Sequence, residues 1–148
     1  TAVVAVVDDA HGRLTVANAG DSRAVLCRMG KAIALSMDHK PSVEGERARI
    51  EAAGSRVRDG RVSTPGSFGG HLSVSRGLGD FEHKLSTLAP DKQAVTAEPE
   101  MVDIALSDGD EFVLLACDGI WDVMSSQEAV DFVRAQVSTQ KERMACRS

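Results

Sequence analysis

Apolar residues fall in short runs broken by glycine- and aspartate-bearing turns over the first third of the chain, then at helical spacing, then in short runs again. Thr1 to Val7 is one such run, ending at Asp8-Asp9-Ala10-His11-Gly12, the composition of a hairpin connection. Arg13 to Ala19 and Ser22 to Met29 predict two further strands separated by Gly20-Asp21, and Gly30 turns the chain into a fourth, Lys31 to Ser36. Loops this short leave no room for crossover helices, so the four strands are expected to be antiparallel.

The period changes at Asp38-His39-Lys40-Pro41-Ser42. Pro41 near a helix start, Val43, Ile50 and Ala53 at helical spacing, and Gly54 at the end predict a helix. Its other face, Glu44, Glu46, Arg47, Arg49 and Glu51, is charged and expected in solvent. Ser55 to Gly70, with Gly60, Pro65, Gly66, Gly69 and Gly70, predicts a flexible loop or flap. HLSVSR returns to strand-like alternation before an irregular stretch from Leu85 to Glu98. Met101 to Leu106 and Glu111 to Cys117 predict two more strands, joined by a hairpin at Ser107-Asp108-Gly109-Asp110. Ser125 or Ser126 followed by Glu128 opens a last helix, with Ala129, Phe132, Val133 and Val137 on its apolar face. The fold class these elements predict is α+β, an antiparallel β-sandwich flanked by helices, with its Asp-bearing turns at strand ends.

Composition narrows the function classes. The 148 residues suit one domain or part of one, and 43% hydrophobic content supports a core. No apolar run approaches the length of a membrane span, and no basic segment precedes an apolar stretch as in a signal peptide, so no membrane partner is expected. A net charge of −5 without a basic stripe argues against nucleic acid as a partner. Cys27, Cys117 and Cys146 lack CxxC spacing and are expected as buried, reduced thiols in a cytoplasmic or nuclear protein.

The chemistry concentrates in FVLLACDGIWDV, residues 112 to 123, an apolar run ending in Asp118-Gly119 with a second carboxylate at Asp122. A strand that delivers an Asp at its exit, followed by glycine and a helical turn, is a common way to hold a hard divalent cation at a sheet edge. Ala17 to Arg23 repeats the logic with Asp21, and the two turns together suggest one shared metal site. Plainer roles exist for each residue. Asp21 suits a local amide cap, and Asp122 suits the start of a helix. His39 and His71 suit structural roles, with His39 fixing the loop before the helix. Arg76 suits either a phosphate or Asp80, and Trp121 and Phe112 suit the core. Asp8-Asp9 suits a solvated hairpin tip.

The runs ANAGDSRAVL, DHKP, ERARIEAAG, LSVSRGLGD, AEPEM and LLACDGIWDV, with Thr1 to Val4 before them, resemble in order and spacing the PPM or PP2C family of metal-dependent serine/threonine protein phosphatases. The resemblance implies hydrolysis of phosphoserine and phosphothreonine in proteins with Mg²⁺ or Mn²⁺ as cofactor, and a phosphoprotein as substrate partner. It implies Asp118 as a metal ligand, and Asp21 and Asp122 at a third, weaker metal position. The family's Glu-Asp pair, Asp-Gly-His-Gly-Gly segment and later Asp-Asn motif do not occur in these 148 residues. The expectation is therefore a partial phosphatase domain over residues 1–148, incomplete at both ends, inactive alone and able to self-associate through the strand bearing Val3, Val4, Val6 and Val7. No catalytic or substrate-binding residue is assigned, although STPGSFGG occupies the place of the family's variable flap. The alternative is a non-catalytic relative retaining the sandwich as a binding or regulatory module. Reading the gene on either side for the missing segments separates the two.

Overall fold

The computed structural model describes residues 1–66 and 71–145. In chain order its elements are β1 (Ala2–Asp8), β2 (Arg13–Ala19), β3 (Arg23–Arg28), β4 (Lys31–Ala34), α1 (Glu44–Ala52), β5 (Arg56–Arg58), β6 (Arg61–Ser63), β7 (Glu100–Ala105), β8 (Asp110–Ala116), α2 (Asp118–Trp121) and α3 (Ser126–Ala145). Short 3₁₀ turns lie at Phe81–His83 and Pro90–Lys92. One sheet has the order β1-β2-β7 and another β4-β3-β8, with every pairing antiparallel.

Strand alternation explains how the layers stack. Leu14 and Val16 of β2, with Val3 and Ala5 of β1 and Ile104 of β7, point to the same side and meet Ala24 and Leu26 of β3, Leu35 and Val113. That contact seals the two sheets face to face; full burial of a leucine such as Leu14 or Leu26 contributes about 2 kcal/mol. The alternate residues of β3, Val25 and Cys27, face the other way and are covered by Trp121, Ala129 and Val130. Because β3 is buried on both sides, its sequence is a continuous apolar run instead of an alternating one. A smaller cluster of Ile50, Ala53, Val62, Ala94 and Val95 holds α1 against the β5–β6 hairpin. The predicted helix-flanked antiparallel sandwich is the observed architecture.

Several local expectations are corrected. The predicted flap holds the β5–β6 hairpin, and its Ser67 to Gly70 part lies outside the described residues. HLSVSR forms no ladder: Leu72 and Arg76 make isolated bridges to Val62 and Thr96. Helix α1 starts after Val43, which is exposed, and Gly54 at φ +82° lets the Ser55 N–H return to the Ile50 carbonyl at 3.1 Å. The face of α1 expected in solvent is only partly so, because Glu46 is 5% exposed. On α3 the buried pair is Ala129 and Val130, while Phe132 and Val137 are exposed. Cys27 is buried, Cys117 is exposed, and Cys146 lies outside the described residues.

Candidate functional site

Register brings the two Asp-bearing turns together. Arg23 at the start of β3 pairs with Ala116 at the end of β8, so Asp21 and Asp118, each two residues beyond the pair, leave the sheet at the same end. Asp118 is the first residue of α2 and is exposed. Asp122 is its C-cap; the Asp122 N–H donates to the Asp118 carbonyl at 2.8 Å, and four residues of helical spacing put both side chains on one face. Trp121 fixes this short helix to the core: it is 8% exposed, and its indole N–H donates to the Ala116 carbonyl at 2.7 Å. The Arg23 guanidinium lies over its ring, 5.1 Å from the centroid.

Asp21 sits in a turn clamped from both sides. Gly20 has φ +129°, and a Cβ there would lie 2.3 Å from Cβ of Thr1, so the position admits only glycine without rearrangement. The Gly20 N–H donates to His39 Nδ1 at 3.1 Å, and its carbonyl accepts from the His39 N–H at 3.0 Å and from Asn18 Nδ2 at 3.1 Å. His39 therefore has the structural role expected of it, as a neutral imidazole with an acceptor Nδ1. Burial, then the Arg76 charge, hold its pKa below the ordinary value; its Nε2 faces Glu100 Oε2 at 3.4 Å without hydrogen-bond geometry.

Among the described residues the Asp21 carboxylate caps no backbone amide. It is nearly buried and takes the Lys40 ammonium on Oδ2 at 2.5 Å. Burial opposes the charge on Lys40, but its hydrogen bond to Asp21 and the charges of Asp21, Asp38 and Asp122 outweigh that and raise its pKa. Asp38 also forks onto Arg23, at 3.0 Å for both contacts, and this hydrogen bonding raises the Arg23 pKa against a burial penalty. Lys40 is the residue of this cluster that reading the sequence missed, although it stands inside the DHKP run; its role depends on a contact made 19 residues away.

Arg76 pairs with Glu46 and not with Asp80. Its guanidinium forks onto Glu46, with Nη2 2.7 Å from Oε1, and donates to the Glu98 carbonyl at 3.1 Å. Glu46 also pairs with Arg49 at 2.8 Å and accepts from the Ser75 hydroxyl. Burial alone would raise the Glu46 pKa, but the hydrogen bonds from Arg76, Ser75 and Arg49 bring it down to about 2. This network ties α1 to the 75–76 segment beside the His39 loop, and the Ser75 backbone N–H donates to the His39 carbonyl at 3.0 Å.

The acids at this end of the sheet suit a hard divalent ion in kind, since they offer carboxylate oxygen and no His or Cys. They do not suit it in number. Among the described residues no three His, Cys, Asp or Glu side chains converge as a metal site needs, and the Asp21 oxygen already holds an ammonium. A closed metal centre is not what Asp21, Asp118 and Asp122 form by themselves.

Comparison with known proteins places this geometry in a family. The family model for Protein phosphatase 2C matches residues 1–148. Probable protein phosphatase 2C 58 of Oryza sativa subsp. japonica is 49% identical over 141 residues, which is 95% of this chain and 36% of that protein. Protein phosphatase 2C homolog 2 of Aspergillus flavus is 52% identical over 143 residues, covering 96% of this chain and 31% of the relative. Among solved structures, a phosphatase from a pathogenic strain of Toxoplasma gondii superposes with a TM-score of 0.73 at 35% identity, over 91% of this chain and 41% of that one. The chain thus spans about a third of the length of the curated relatives it matches. It belongs to the protein phosphatase 2C family.

Proposed function

We propose that this chain is the part of a metal-dependent protein phosphatase that carries Asp118, and that the full-length protein hydrolyses phosphoserine and phosphothreonine esters in proteins with Mg²⁺ or Mn²⁺. The observation that supports this reading best is the β3–β8 register, which delivers the Asp21 and Asp118 turns to one end of the sheet in a chain matched by the family over its whole length. Hard divalent ions in such enzymes generate a nucleophilic water and clamp phosphoryl oxygens. In this reading Asp118 is a primary ligand, Asp21 and Asp122 belong to a weaker position, and the remaining ligands come from the two-thirds of the relatives that this chain does not match. Trp121 and the clamped Gly20 turn supply rigidity, holding the carboxylates where the sheet ends.

The test is hydrolysis of a phosphoserine peptide by the full-length gene product in Mn²⁺. Turnover is expected, abolished by EDTA and reduced by orders of magnitude in Asp118→Asn. The 148-residue chain alone is expected to give no turnover above a metal-free blank. A full-length protein that folds, binds phosphopeptide and does not hydrolyse it would favour the binding-module alternative.

A further inference from the structure

Arginine pairing singles out the β5–β6 hairpin. Each of the seven other arginines whose side chains are described, from Arg13 to Arg134, holds a carboxylate. Arg56, Arg58 and Arg61 are exposed, and among the described residues none of them pairs with a carboxylate, Asp59 at the turn between them included. The register sets Arg56 opposite Ser63, Val57 opposite Val62 and Arg58 opposite Arg61. Opposed residues share a face of the hairpin. Val57 and Val62 pack into the Ile50 cluster and so take the inner face, which leaves all three arginines on the outer one.

Like charges directly opposite one another weaken a strand pair, and an anion placed between them removes that penalty. Here the opposition is built in: Asp59 at φ +48° and Gly60 at φ +72° make the two-residue turn that sets Arg58 against Arg61. Arg61 Nη1 donates to the His71 carbonyl at 3.1 Å, which anchors its guanidinium and leaves its other donors for a ligand. Along β5 the alternate positions Arg56 and Arg58 stand roughly 7 Å apart, the repeat at which an extended peptide presents alternate side chains. The guanidinium fork matches a carboxylate. In a chain of net charge −5 this face is a local reversal of sign, too small to be the basic stripe that a nucleic acid needs.

We propose that the outer face of the β5–β6 hairpin is a docking surface for an extended acidic segment of a partner protein, whose carboxylates are taken by Arg56, Arg58 and Arg61. The surface rests on the hairpin alone and is independent of the metal-dependent reading given above.

The test measures binding without catalysis. A fluorescein-labelled octapeptide of alternating Glu and Ser, with no phosphate, is titrated with the full-length gene product at low salt and followed by fluorescence anisotropy. Binding is expected, and about 0.5 M NaCl should abolish it. Arg56→Gln should weaken it about threefold and Arg58→Gln with Arg61→Gln about tenfold, each variant checked for folding by circular dichroism. Arg13→Gln, which removes a paired arginine on another sheet, should leave it unchanged. No binding of the acidic peptide, an equal loss in Arg13→Gln, or tighter binding of octauridylate overturns the proposal. A second measurement needs no substitution: in an NMR titration with the same peptide, the side-chain Nε–H resonances of Arg56, Arg58 and Arg61 should shift with one midpoint. Shifts spread evenly over the paired arginines also overturn it. Failure of the phosphatase reading would show instead as absent hydrolysis in the full-length protein, whatever the hairpin binds.

Discussion

Glu46 shows how one buried charge can tie elements together. Its carboxylate is 7% exposed and shared by Arg49, Arg76 and Ser75, which hold its pKa near 2. A folded-state pKa below the unfolded value means that the unfolded chain takes up a proton more readily. The stabilisation is therefore complete above about pH 4.5 and is lost as pH falls toward 2. Glu46→Gln removes the charge and leaves two guanidinium groups facing a neutral amide. The expected loss is about 3 kcal/mol at pH 7, read from urea unfolding, and the gap from the unsubstituted chain should narrow as pH drops below 4.5. A gap independent of pH over that range would mean that the carboxylate charge is not what holds this network.

At the scale of elements, the β5–β6 hairpin is pinned by a buried polar chain. Ser55 Oγ lies 3.0 Å from Thr64 Oγ1, which lies 2.9 Å from His83 Nδ1, with all three residues buried. Thr64→Val keeps the shape and removes the middle hydroxyl, leaving both neighbours without that partner. A loss of about 2 kcal/mol is expected, with faster amide hydrogen exchange confined to residues 55–64 and 80–84. Uniform exchange changes across the sandwich would refute a local latch. The same elements show what the sequence makes legible. β2, β3, β7 and β8 were readable because each face of a strand has one environment, recorded in alternation for β2 and β7 and, for β3 and β8, which face a core cluster on each side, in a continuous apolar run. The segment around Leu72 to Arg76 alternates in the same way but makes only single bridges, because its partners are the turn at Thr96 and the edge of β6. At the site, the Asp118 turn was legible from its own strand and glycine. Lys40 and Glu46 were not, since a charged side chain in a polar loop or on a helix looks solvated until its partner across the fold is known.

For the molecule as a whole, the sheet of β1, β2 and β7 buries its inner face and leaves an apolar row outside. Val4, Ala17 and Met101 stand opposite one another in register, with Val4 54% and Met101 59% exposed, and Val6 next to them at 58%. Such a row favours association, so the isolated chain is expected to sediment as oligomers, and Val4→Lys with Val6→Lys should shift it toward monomer. A single monomeric boundary at all concentrations for the unsubstituted chain would count against this. The β3–β8 pairing carries a different consequence, for the order of events in folding. It joins Arg23 to Ala116, positions far apart in the sequence, so the Asp21 and Asp118 turns meet only after the long loop between them has closed. Local hairpins such as β1–β2 and β3–β4 close first at small entropic cost, whereas this long-range closure is slow. The candidate site is therefore expected to be among the last features to assemble, and a partly folded chain would contain its strands without its chemistry.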